Sequence, residues 1–198
     1  MNKRVLISAI VLIIISILCL HITGFDIAYF KAIRIGFLVP LSGQGASNGE
    51  SAKHSAELAV KEINNNGGVN GKAIKLITYD DHGDPQKARE IINKLIFQDQ
   101  VIAVVSAFDS PTTRAAIPIC QENKIPLLVT CFDSTAASED ENAFVFWIND
   151  CIHSQPHMAG ALTYEAINLV AHALKVSGPD PVKLRDALAA NLCLSSSK

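Results

Sequence analysis

The chain has 198 residues, 49% of them hydrophobic, 18% charged and 6% aromatic, with a formal net charge of −2. That is enough apolar material for one globular domain with a real core and tight for two. The mixed charge lacks the basic stripe that neutralising phosphates requires, so no nucleic-acid partner is expected.

Residues 1–24 stand apart. Lys3 and Arg4 precede an apolar run over residues 5–20, broken only by Ser8 and Ser16, which is the basic start and hydrophobic middle of an export signal. The run is short for a comfortable membrane span, and both a cleaved signal and an N-terminal anchor through residues 5–20 fit it. Membrane contact is expected through this segment alone, and the rest of the chain is expected in the periplasm or another extracytoplasmic space. Leu18 is bulky where lipoprotein processing at Cys19 wants a small residue. The five cysteines, at 19, 120, 131, 151 and 193, form no CxxC pair and no metal-ligand spacing. Export would permit a Cys120–Cys131 bridge, but free buried thiols acting as small hydrophobes are the favoured reading.

From Ile33 onward short apolar runs alternate with amphipathic stretches, the pattern of a parallel sheet covered by helices. Ile33 to Val39 is the first strand. Pro40, Gly43 and Gly45 break it, and Ser47 with Glu50 forms a capping box for a helix with the stripe Ala52, Ala56, Ala59, Val60 and Ile63. Residues 74–79 make the second strand. Asp84 caps a helix that opens on Pro85 and buries Ala88, Ile91, Ile92, Leu95 and Ile96. Residues 101–105 read as a fully buried strand. Ser110 and Pro111 begin the next helix, and residues 125–129 form a fourth strand.

Beyond Thr130 the rhythm changes. Residues 133–142 are small and acidic, 144–148 suit one more strand, and 149–155 form a junction. A long helix over 156–176 carries Leu162, Ala166, Val170 and Leu174 along one face, a second spans 181–192, and 193–198 make a frayed tail. The fold class is α/β, a doubly wound parallel sheet, in a single domain over residues 31–192.

In such a sheet the ligand sits beyond the carboxyl ends of the strands. Residues 40–49, 80–84, 106–110 and 130–135 are placed there. Ser110 would begin a helix whose free amides and dipole favour an anion, although a serine before a proline is also simply a good helix start. Ser134 offers a further hydroxyl, and Asp133 an acid that could meet an ammonium group. Asp80, Asp81 and His82 carry metal-type donor atoms, but a strand-end turn explains them more cheaply. His153 and His157 have the spacing of two ligands on one helix face without an evident third, and read as surface histidines. There is no GxSxG elbow, P-loop or HExxH, and no GxGxxG after the first strand. An enzyme is not expected, nor a cofactor.

The ordered motifs resemble the periplasmic branched-chain amino-acid binding proteins of ABC transporters. The matching text is Ile33-Arg34-Ile35-Gly36-Phe37-Leu38-Val39-Pro40-Leu41-Ser42-Gly43, then Ala56-Glu57-Leu58-Ala59-Val60 with Glu62-Ile63-Asn64, then Gly67-Gly68-Val69-Asn70-Gly71. It continues through Tyr79-Asp80-Asp81 and Asp84-Pro85 to the loop opening at Ser106. The resemblance implies the type I periplasmic-binding-protein fold, a two-lobed clamshell with ligand in the cleft, of which this chain carries mainly the first lobe. It implies that residues 31–148 are first-lobe units, that 156–192 are helices returning to that lobe, and that most of the second lobe is missing.

The same resemblance places Ser110 and Ser134 on ligand-binding hydroxyl positions. Asn48 falls where leucine binders present an aromatic ring, and Phe132 and Asp133 fall where small residues are usual. The implied ligand is an amino acid or a related amide, and the implied partner is the membrane permease of an ABC importer. A ligand-sensing receptor or regulator module of the same fold stays open as an alternative, as does an inactive remnant.

Overall fold

A strand that is apolar at nearly every position is stable only inside a sheet covered on both faces. A computed structural model of the chain, which describes residues 32–108, 110–131, 144–149 and 158–195, places the first such strand in that setting. Strands β1 (Ile33–Val39), β2 (Ile74–Asp80), β3 (Ala103–Ala107), β4 (Leu127–Cys131) and β5 (Val145–Asn149) form a parallel sheet ordered β2-β1-β3-β4-β5. Ile35 of β1 is in register with Leu76 on one side and Ala103 on the other. The helices are α1 (Ala46–Asn65), α2 (Pro85–Phe97), α3 (Pro111–Glu122), α4 (Met158–Ser177) and α5 (Pro181–Ser195).

Alternation along the strands divides the core into two layers. Ile33, Ile35, Phe37 and Val39 share one layer with Val105, Leu128 and Phe146 and with the apolar faces of α1, α4 and α5. Leu38, Val104, Leu127 and Val129 share the other with α2 and α3. This is a doubly wound α/β fold. Helices α4 and α5 bring Leu162, Val170, Leu174, Leu184 and Leu188 to the first layer, all 2% exposed or less. At about 1.5–3 kcal/mol for each large side chain buried, these two helices are a substantial part of the core.

Several local expectations hold for local reasons. Asp84 accepts from the amides of Gln86 and Lys87, and Ser110 accepts from the amide of Thr113, each followed by a proline at the first helical position. The side chain of Asn64 both donates to and accepts from the backbone of Ile74, which ties the end of α1 to the start of β2. Cys120 is free and buried, so it forms no bridge to Cys131, and burial pushes its thiol up to about 12.

Other boundaries differ. The Ser47–Glu50 capping box is not used, because a 3-10 turn over Gly43–Gly45 runs straight into α1 and the Ala46 amide bonds the Gly43 carbonyl. Strand β3 starts two residues later than its apolar run, since the Val101 amide closes α2 on the Leu95 carbonyl. Strand β4 also starts late, because the Ile125 amide closes α3 on Cys120 and Pro126 has no N–H to give. Helix α5 runs to Ser195, past the expected end at residue 192. The export segment, the acidic stretch 133–142, His153 and His157 lie outside the described residues. Among the described residues no helix is long and apolar enough to cross a membrane.

Two glycines set how closely elements approach. A Cβ on Gly49, in the first turn of α1, would stand 1.7 Å from the Pro40 carbonyl oxygen at the end of β1. At Gly160 of α4 the nearest atom is the Ser55 Oγ of α1 at 2.5 Å, a hydroxyl that can rotate away. Gly49→Ala is therefore expected to cost about 3 kcal/mol or more. Gly160→Ala, with about 1 kcal/mol of helix propensity to offset its crowding, is expected to stay within about 1 kcal/mol of the parent. Urea unfolding of the two variants side by side checks the contrast.

Candidate functional site

Parallel strands leave their loops at one edge of the sheet, and a crevice opens where successive connections depart in opposite directions. In the order β2-β1-β3-β4-β5 that point lies between β1 and β3. A cleft of about 470 Å³ is found there. The loop after β1 contributes Pro40 and Ser42, the first turn of α1 contributes Asn48, the turn after β2 contributes Asp81 and His82, and the segment from β3 into α3 contributes Phe108, Ser110 and Thr112.

The first wall is braced by Asp80. Its Oδ1 accepts from the Leu41 amide at 2.8 Å and the His82 amide at 2.9 Å. The Nδ1 of His82 lies 2.7 Å from the Ser42 hydroxyl and 3.2 Å from the Asp80 carboxylate. Partial burial works to raise Asp80, but the amides of His82 and Leu41, the Ser42 hydroxyl and His82 outweigh it and hold the carboxyl below its ordinary value. These bonds use the donor and acceptor atoms of the strand-end turn, as the turn reading requires.

The second wall rests on a chain of hydroxyls. Asp81 is 1% exposed; its Oδ1 accepts from the Gly83 amide at 2.9 Å and its Oδ2 from the Thr112 hydroxyl at 3.0 Å. Thr112 Oγ1 is 2.7 Å from Ser110 Oγ. Ser110 Oγ also accepts from the Thr113 amide, and the Thr113 hydroxyl donates to the Phe108 carbonyl while contacting Ser106 Oγ at 2.6 Å. Burial pushes the Asp81 carboxyl above its ordinary value; the Gly83 amide and Thr112 hydroxyl offset part of this, Asp80 adds to it and His82 subtracts.

This geometry revises the expectation of several free amides at the start of α3. Pro111 has no N–H, the Thr113 amide is taken by the Ser110 side chain, and the Arg114 amide by the Ser110 carbonyl. Among the described residues, the Thr112 amide is the donor at this helix start to which neither Ser110 nor the helix gives a bond.

Of the residues singled out by sequence, Asn48 and Ser110 both line the cleft, from opposite sides of the switch point. Phe132, Asp133 and Ser134 lie outside the described residues. The loop that precedes Ser110 is tied toward the end of β4 by the Phe108 amide, which donates to Thr130 Oγ1 at 3.2 Å. Sequence reasoning placed Asp81 and His82 at this edge of the sheet, within residues 80–84, but read them as a strand-end turn, and it passed over Thr112. The signal was the position of Asp81 at a strand end, an acid that the sheet buries.

Residues 32–151 match the family described as periplasmic binding protein. The amino acid binding protein of Pseudomonas aeruginosa is 34% identical over 122 residues, covering 62% of this chain and 32% of that protein. The Leu/Ile/Val-binding protein homolog 2 of Brucella abortus is 35% identical over 99 residues, covering 50% of this chain and 26% of that protein. The fold is also that of the branched-chain amino acid transporter substrate binding protein of Streptococcus pneumoniae in complex with isoleucine, at TM-score 0.63 and 18% identity over 80% of this chain and 88% of that one. The chain spans 32% and 26% of the length of the two curated relatives, about a third or less.

The two aspartates make opposite contributions to stability against pH. Asp81, raised in the folded chain, is stabilising when protonated, and that contribution is lost as pH rises from the ordinary aspartate value through its folded one. Asp80, lowered in the folded chain, contributes above the ordinary value and loses its contribution as pH falls through its folded one. Asp81→Asn is therefore expected to remove the fall in stability just above the ordinary aspartate value and to leave the acid-side fall in place. Urea unfolding midpoints of parent and variant across that range provide the measurement.

Proposed function

Because the chain belongs to the periplasmic binding protein family, we propose that it is an extracytoplasmic binding component for a small polar solute, with the cleft between β1 and β3 as one wall of the ligand site. The observation that carries this reading is the meeting of Asn48, Ser110 and the start of α3 at the switch point of the sheet. The ligand class is amino acids or related amides, in keeping with the names of the relatives and the isoleucine bound in the pneumococcal structure. The partner is the membrane permease of an ABC importer. In this reading α4 and α5 are the first lobe's returning helices, and Ser134, Phe132 and Asp133 form the neighbouring ligand loop.

The cleft supplies a hydroxyl at Ser110, an amide at Thr112 and a side-chain amide at Asn48. A charge-assisted bond from such donors to a carboxylate contributes about 1.5–3 kcal/mol. Association costs at least about 4 kcal/mol, and contacts open to water stay weak.

Calorimetric titration of the chain with leucine, isoleucine, valine and their amides is expected to show dissociation constants near 1 mM or weaker, about −4 kcal/mol. In mildly acid solution, at about pH 4, Asn48→Ala and Ser110→Ala are each expected to weaken binding by about tenfold, since 1.4 kcal/mol is one factor of ten. Micromolar binding would show that a second wall is supplied. Millimolar binding untouched by both substitutions would place the ligand elsewhere.

A further inference from the structure

A hydroxyl has one hydrogen and two lone pairs, so in a chain of hydroxyls the direction of every hydrogen follows from the groups at its ends. Thr113 ends one branch by donating to the Phe108 carbonyl, which can only accept. The other branch ends at Asp81, reached from Ser110 through Thr112. When Asp81 is ionised it also can only accept, so the Thr112 hydrogen points to Asp81 Oδ2. The 2.7 Å contact between Thr112 and Ser110 then requires the Ser110 hydrogen. In that state Ser110 turns a lone pair to the cleft, which repels a carboxylate. When Asp81 is protonated the chain reverses and Thr112 donates to Ser110, which frees the Ser110 hydrogen from Thr112; the acceptors then open to it are Thr113 Oγ1, at 3.2 Å, and a carboxylate in the cleft.

We propose that Asp81 is a positioning residue that sets, through Thr112, whether Ser110 offers the cleft a hydrogen or a lone pair, so that a carboxylate ligand is taken at Ser110 together with a proton on Asp81. The ligand half of the proposal rests on the solute-binding reading above; the coupling of Asp81 to Ser110 rests on geometry alone. Asp81 is 1% exposed and is held by Gly83 and Thr112, so its proton is exchanged within a fixed hydrogen-bond frame. Among the described residues the charged groups acting on Asp81 are its chain neighbours Asp80 and His82. Helix α3 faces the carboxyl with the neutral Thr112 hydroxyl, and β1 holds the Asp81 backbone amide on the Val39 carbonyl.

An asparagine at this position reproduces the protonated carboxyl. Its oxygen can take the Gly83 amide and its NH₂ can donate to Thr112, which releases the Ser110 hydrogen from Thr112 at every pH. The first test uses the full chain without ligand. Carbon NMR follows the Asp81 carboxyl and the Ser110 and Thr112 Cβ resonances from about pH 4 to about pH 8, with His82→Gln as a background that removes the neighbouring imidazole.

All three resonances are expected to move with one midpoint. Thr112→Val is expected to leave Asp81 titrating and to stop the movement at Ser110. A Ser110 resonance indifferent to Asp81 in the parent overturns the proposal. The second test is titration with leucine over the same range. The parent is expected to lose about tenfold in affinity per pH unit above the Asp81 midpoint, the signature of one proton taken up on binding. Asp81→Asn is expected to bind at neutral pH as tightly as the parent does in acid. Leucine affinity equal at both ends of the range in the parent also overturns the proposal. If leucine binds at no pH while Ser110 still follows Asp81, the solute-binding reading fails and the coupling stands.

Discussion

Burial of β1 on both faces is the constraint on which the rest of the structure depends. With Ile35, Phe37, Leu38 and Val39 all at 0% exposure, the strand needs a neighbour on each edge and a helix layer above and below. Strands β2 and β3 supply the edges, α1 and α4 one layer, and α2 the other. Once β1 is flanked in this way, the connection after β1 and the connection after β3 leave in opposite directions. The cleft is a consequence of that departure rather than a separate feature. Its floor is stiff for the same reason. The Pro40 carbonyl that ends β1 lies against Gly49 of α1, and the next amide, Leu41, is held by Asp80 at the end of β2.

Asp80, which closes β2, and Asp81, which follows it, show how one strand end serves opposite electrostatic purposes. Asp80 stays partly exposed and collects amide donors, which favours its charge. Asp81, one residue beyond the strand, is buried with its amide on the Val39 carbonyl of β1, a setting in which charge is costly. From α3 its carboxyl is met by the Thr112 hydroxyl. A buried carboxylate held by neutral donors is a group whose protonation state is sensitive to what happens at the other end of its hydrogen bonds. Here that other end is Ser110, the residue at the mouth of the cleft.

Much of this was legible in the chain because it is governed by rules that span few residues. The aspartate before Pro85 and the serine before Pro111 cap their helices through amides two and three positions on. The stripe Leu162, Ala166, Val170 and Leu174 is one face of a helix in any fold, and an apolar face of that length must be covered. The resemblance to binding proteins, carried by motifs near Ile33, Ala56, Gly67 and Tyr79, agrees with the family match over residues 32–151. Boundaries were harder. Val101 and Ile125 are as apolar as the strands they precede, and whether their amides join a ladder or close a helix depends on where Leu95 and Cys120 end up.

By itself, then, the sequence determined the kinds of element, their order, the capping of α2 and α3 and the edge at which a ligand site would open. Only the tertiary structure decided the strand order and the two-layer division of the core. It also decided the joining of Asn48 to Ser110 across one cleft and the burial of Asp81 against Thr112, which lies 31 positions away. The physical reason is one of range. Helix caps, turns and periodicity are settled by neighbours within a turn or two, whereas the hydrogen-bond partner and dielectric surroundings of a strand-end acid exist only after distant segments have been brought together by the burial of β1.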